Sequence, residues 1–134
     1  APLVCDDTLQ TNDIARIYPD GSFTILGRKD NVINSGGIKV QAEEIERLLQ
    51  SSIPVPFVIT SVPDRRLGQA VTLLIEGQME ISALGTKLES VLASYYRPKY
   101  IYTVNHIPQT GNGKINRKEC RVLAESLQLL GRQE

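Results

Sequence analysis

Two stretches of this 134-residue chain carry residue types suited to chemistry rather than to core building. The first is GRKDNVINSGGIKVQAEEIE, Gly27 to Glu46. It sets Arg28, Lys29 and Asp30 around a bend and passes through Val32 and Ile33. It breaks at Ser35-Gly36-Gly37 and resumes in an acidic helix start at Glu43-Glu44-Ile45-Glu46. A bare glycine pair permits positive φ and lets a ligand or another backbone come close. The second is PQTGNGKINR, Pro108 to Arg117, a glycine-hinged loop that presents Lys114 at the mouth of a helix. An ammonium held there neutralises charge developing on a phosphoryl group or carboxylate.

Taken singly, each piece has an ordinary explanation. Gly111-Asn112-Gly113-Lys114 is not a P-loop, since that pattern needs Gly where Pro108 stands and Ser or Thr where Ile115 stands. On its own it is a surface turn with a solvated lysine. Arg28 and Asp30 alone make a surface ion pair worth under ~1 kcal/mol. Thr11-Asn12-Asp13 and Ser35-Gly36-Gly37 read alone as turns. His106, the lone histidine, has no nearby Cys, Ser or Asp and reads as a loop residue. No cluster has metal-ligand spacing, so no metal is expected on this chain.

Composition narrows the classes. Fifteen basic and fifteen acidic residues cancel, leaving no field to recruit nucleic acid or an anionic membrane. Trp is absent and aromatics are sparse, against a stacking surface for single strands. Cys5 and Cys120 are too few for a disulfide framework and read as reduced thiols of a cytoplasmic protein. No apolar run approaches the ~20 residues that span a bilayer, and no signal peptide is visible. The abrupt start without Met reads as a fragment of something larger.

The positioning elements follow from periodicity. A short strand is expected near Leu9. Ile14, Ile17 and Tyr18, then Pro19-Asp20-Gly21, then Phe23, Ile25 and Leu26 predict a β-hairpin. Val32-Ile33 and Ile38-Val40 read as two very short strands around the glycine pair. A helix is predicted over about 42–50, with Ile45, Leu48 and Leu49 on one face. Phe57 to Val62 and Val71 to Ile75 predict a second hairpin. A second helix is capped by Ser82 and buries Leu84, Leu88, Val91, Leu92 and Tyr95. Tyr100 to Val104 read as a third strand. Asn116 and Glu119 open the last helix, with Cys120, Leu123, Ala124, Leu127 and Leu130 as its stripe. The expected fold is α+β, a small three-stranded sheet packed with helices and preceded by a β-hairpin.

The ordered combination of these motifs resembles one family. Thr11 to Asp13, GRKD, SGG, AEEIE and PQTGNGKINR together are similar to the carboxyl-terminal part of the adenylate-forming acyl-CoA synthetase superfamily, over essentially the whole chain. The resemblance implies an AMP-binding-enzyme C-terminal domain at 28–134, with residues 1–27 the trailing edge of the larger N-terminal domain. It implies ATP and CoA as substrates, Mg2+ entering with ATP but not bound by this domain, and a small carboxylic acid. The partner would be the N-terminal domain of the same enzyme, with no nucleic acid and no membrane span.

By that resemblance Asp13 and Arg28 contact the nucleotide, Asp30 is the hinge, and Lys114 is the catalytic lysine of adenylation. Gly36, Gly37 and Lys39 match the loop that enters for thioester formation. Asn12 departs from the Gly usual before the Asp. SGGIKVQAEEIE and FVITSVPDRRLGQAVTLLIEG further resemble o-succinylbenzoate–CoA ligases of menaquinone biosynthesis. The fragment alone is expected to be inactive, because the acyl pocket and phosphate loop lie in the larger domain. Two alternatives stay open. One is a carrier-loading adenylation domain, for which a carrier would follow the last helix. The other is a non-catalytic interaction module.

Overall fold

The computed structural model describes residues 3–8, 13–78 and 81–132. A first strand, β1 (Leu3–Thr8), runs antiparallel to β2 (Asp13–Ile17), which turns back into β3 (Phe23–Arg28). The turn forms where Pro19-Asp20-Gly21 predicts it. Gly21 takes a φ of 89°, and the Asp20 carboxylate accepts from the Ser22 amide and hydroxyl. The expected hairpin is therefore the outer part of a three-stranded sheet. The strand expected near Leu9 lies outside the described residues.

A 3-10 turn, Lys29–Asn31, links this sheet to a second one. There β4 (Val32–Ser35) and β5 (Ile38–Gln41) form a tight hairpin, and α1 (Ala42–Leu49) follows directly. Then come β6 (Phe57–Asp64), β7 (Gly68–Glu76), α2 (Ile81–Val91), β8 (Tyr100–Val104) and α3 (Arg117–Arg132). β6 pairs antiparallel with β7 along its full length, and β8 lies parallel to β7 after the crossover through α2. The other edge of β7 is shared, since Ser35 of β4 pairs with Gly68 while β8 takes Thr72 to Glu76.

The α+β class is as expected, but the sheet has five strands rather than three. The four-residue strands β4 and β5 join it through the single Ser35–Gly68 register, too short a contact to leave a periodic signature.

Burial on both faces of the sheet explains the apolar runs of β6 and β7. Ile59, Leu73 and Ile75 face α1 and α2, packing with Ile45, Leu49, Leu84, Leu88 and Leu92. Val58, Val62 and Leu74 face α3, packing with Cys120, Ala124 and Ile107. Cys120 is a free, buried thiol of the core that burial pushes up to about 11.

The helix faces are narrower than the sequence suggests. Leu48 and Val91 are exposed beside the buried Leu49 and Leu92, Leu130 lies two positions past the buried Gln128, and Tyr95 is exposed in the 3-10 turn Ser94–Tyr96, beyond the end of α2. Ser82 is the second residue of α2 and not its cap. The Asn116 cap does form, its Oδ1 accepting from the Glu119 amide at 3.1 Å. No described helix is long and apolar enough to cross a membrane.

Candidate functional site

Asp13 opens β2 and Arg28 closes β3, and antiparallel register sets them directly opposite. Arg28 Nη1 lies 3.6 Å from Asp13 Oδ1, with the guanidinium half exposed. A carboxylate accepts from hydroxyls and a guanidinium donates to phosphate oxygens, so the pair brings together the group types that a ribose diol beside a phosphate calls for. Asp30 follows in the 3-10 turn, exposed, and its carbonyl accepts from Arg121 at 3.4 Å. Arg28, Asp30, Asn31, Arg117, Lys118 and Arg121 line an open, mostly cationic depression of about 430 Å³.

Gly36 and Gly37 are the two central residues of the β4–β5 turn, with φ of 61° and 86°. Two consecutive positive φ values define the primed two-residue hairpin that glycine favours. The Gly36 amide donates to the Leu67 carbonyl at 2.8 Å, which docks the tip beside the start of β7. A Cβ on Gly36 would sit 3.1 Å from Leu67 Cδ2, whereas one on Gly37 would meet open space. Lys39 is exposed on β5, opposite Asn34.

The Lys114 loop is closed by backbone alone. Thr110 and Gly113 are bonded across it, and Gln109 bridges Ile115. The exposed Lys114 side chain makes no hydrogen bond or ion pair among the described residues, so its charge is available to a ligand. The loop flanks a cleft of about 470 Å³ with α1 and the Pro54–Phe57 segment. Its approach is tied to the far end of β7, where the Ile107 amide donates to Glu76.

The expected residues thus gather in three places. Asp13, Arg28 and Asp30 lie together at the junction of the two sheets. Gly36 and Gly37 sit at the Gly68 end of β7, and the Lys114 loop at the Glu76 end. Nine extended residues separate those ends by roughly 25 Å.

No family profile matches the chain. Triostin synthetase I of Streptomyces triostinicus is 38% identical over 126 residues, covering 90% of this chain and 24% of that protein. The 2-succinylbenzoate–CoA ligase of Lactococcus lactis is 33% identical over 113 residues, covering 84% and 25%. Among solved structures, an acyl-CoA synthetase (AMP-forming)/AMP-acid ligase II-like protein from Dyadobacter fermentans superposes with a TM-score of 0.64 at 33% identity, covering 85% of this chain and 35% of that one. The last two carry CoA-ligase or AMP-forming acyl-CoA synthetase names, and this chain is similar to them over 84% and 85% of its length. The chain spans about a quarter of the length of these curated relatives. Their names cover several acids, so they speak to the ligase family and not to one substrate.

Within this ligase-like frame the AEEIE motif has three separate tasks that sequence reading missed. Glu43 Oε2 accepts from the Arg28 amide and from Asn31 Nδ2, both at 2.9 Å, and Glu43 Oε1 accepts from Gln41 Nε2. Burial alone would raise the Glu43 carboxyl. The hydrogen bonds from Gln41, Asn31 and the Arg28 amide outweigh it and hold the group below the ordinary carboxylate range. Glu44 pairs with Arg16 at 2.9 Å and accepts from the Tyr96 hydroxyl. Glu46 takes both arms of Arg117. Helical geometry turns Glu44 away from the face shared by Glu43 and Glu46, and a run of acids at a helix start does not disclose their partners.

Proposed function

We propose that this chain is the mobile C-terminal domain, residues 28–134, of an acid–thiol ligase, with residues 1–27 the trailing edge of its larger domain. The whole enzyme joins a carboxylic acid to ATP, releases pyrophosphate, and passes the acyl group from AMP to the thiol of CoA. Asp13 accepts the ribose hydroxyls, Arg28 contacts the nucleotide, and Lys114 stabilises charge between the carboxylate and the α-phosphate. Gly36 and Gly37 leave room for pantetheine, with Lys39 nearby as a phosphate contact. Asp30 is the residue about which the domain turns.

One observation carries this reading. The available Lys114 charge and the glycine tip occupy opposite ends of β7, as two successive half-reactions served by one domain require. Mg2+ would accompany ATP as part of the substrate. Among the described residues no group of three His, Cys, Asp or Glu could hold a metal.

For the acid, o-succinylbenzoate is our choice, supported by the Lactococcus relative. The test compares the full-length parent with this 134-residue chain for ATP- and CoA-dependent thioester formation on a panel of carboxylates. Turnover of o-succinylbenzoate by the parent, with none by the fragment, is expected. Turnover of other acids alone would discard the substrate, and no turnover of any acid would discard the ligase.

A further inference from the structure

Both polar groups of the Arg28 peptide are taken by residues beyond Asp30. Its amide donates to Glu43 Oε2 at 2.9 Å, and its carbonyl accepts from Gln41 Nε2 at 2.8 Å. The same Gln41 nitrogen donates to Glu43 Oε1 at 2.8 Å, locking the two side chains together. Glu43 Oε2 also accepts from Asn31 Nδ2, so one oxygen bridges the residues on either side of Lys29-Asp30.

The preceding strand is shaped for this contact. A Cβ on Gly27 would fall 2.4 to 2.6 Å from the Glu43 carboxylate, which the absent side chain leaves free to approach. Arg47 adds a bond to the Leu26 carbonyl at 3.0 Å.

We propose that Glu43 and Gln41 are positioning residues that clamp the backbone across Asp30. They fix Arg28 opposite Asp13 and hold the N-terminal sheet in one orientation on the helical body. The catalytic consequence rests on the assignment of Arg28 to the nucleotide and Asp30 to the hinge, while the mechanical clamp does not. Any rotation at Asp30 has to break the Arg28–Glu43 and Arg28–Gln41 bonds together, because both hold the backbone of one residue. The clamp therefore makes the turn a two-state event rather than a gradual drift.

Residual dipolar couplings of this chain read the clamp directly. The wild type is expected to fit one alignment tensor across 13–28 and 32–132. Glu43→Ala should separate the tensors, that of 13–28 becoming the smaller, with Gln41→Ala acting in the same direction. Unchanged couplings within β6 and β7 report an intact fold. A single shared tensor in Glu43→Ala, or two tensors in the wild type, would overturn the proposal.

In the full-length enzyme, Glu43→Ala should raise the KM for ATP by about tenfold with a smaller change in kcat, as loss of hydrogen bonds to a charged group implies. Separated tensors with an unmoved KM would overturn the positioning role. A parent without any adenylation activity would count against the ligase reading and leave the tensor result standing.

Discussion

Arg117 and Glu46 meet through two parallel hydrogen bonds, 3.0 and 2.7 Å long, across 71 residues of sequence. Glu46 Oε2 also accepts from the Ile59 amide at 2.9 Å, on the edge strand β6. One carboxylate thus joins α1, α3 and the exposed edge of the sheet. Covering that edge removes a template for unwanted strand pairing.

Truncating one member of such a pair leaves the other partly buried and uncompensated. Arg117→Ala should cost about 3 kcal/mol of stability, the lower end of the range for breaking a buried pair. Arg117→Lys, which keeps the charge and loses the fork, should cost less. Urea unfolding monitored by circular dichroism gives both values. Equal stability of Arg117→Ala and wild type would show that the fork contributes nothing net.

The Lys114 side chain makes no hydrogen bond or ion pair among the described residues, so its truncation should leave stability within about 0.5 kcal/mol. In the full-length enzyme Lys114→Ala should cripple adenylation while sparing thioester formation from supplied acyl-adenylate. Asp30→Pro should do the reverse, with adenylation surviving and CoA transfer failing. Separate assays of the two half-reactions decide each case. Equal loss of both steps in Lys114→Ala, or normal CoA transfer in Asp30→Pro, removes the respective role.

Gly37 offers a substitution that separates backbone from space. Asn tolerates the left-handed region and a side chain there meets no neighbour, so Gly37→Asn should cost at most about 1 kcal/mol. A drop in thioester formation with adenylation and melting temperature preserved would mark the tip as a passage for pantetheine. Thioester formation at the wild-type rate would mean that pantetheine passes elsewhere.

Acid should loosen the same tip. Asp64 is held at about 2, below its ordinary value of 3.8, first by the hydrogen bond from Lys99 at 2.6 Å and then by the Leu67 and Arg66 amides. A folded-state carboxyl depressed in this way contributes stability above about pH 4. That contribution is lost as pH falls from 4 towards 2. Because Leu67 also accepts from Gly36, protonation should free the tip's anchor. The protection of the Gly36 amide against exchange, relative to its intrinsic rate at each pH between 5 and 2.5, should fall before that of the core, and Lys99→Met should move that onset to higher pH.

The hairpin, the two glycine-containing turns and the Asn116 cap were legible because turn residues, glycine pairs and capping side chains act locally. The partners of Glu43, Glu44 and Glu46 were not. Each reaches a residue at least twelve positions away, and nothing in an acidic helix start says which of the three turns towards Asn31, Arg16 or Arg117. The five-strand count was hidden for a related reason, since β4 enters the sheet through one residue. Asp13 and Arg28 were each recognisable as motif residues, but their opposition comes from a register that includes an irregularity between Ile14 and Ala15.

The length of β7 sets a rule of timing. A reacting carbonyl is a few ångströms across, β7 is roughly 25 Å long, and loops set towards its two ends cannot both attend one such group. Whatever each loop does there, it does alone, and the other must wait its turn. A tether that pinned either loop in place would silence its counterpart completely, without touching a single residue of it.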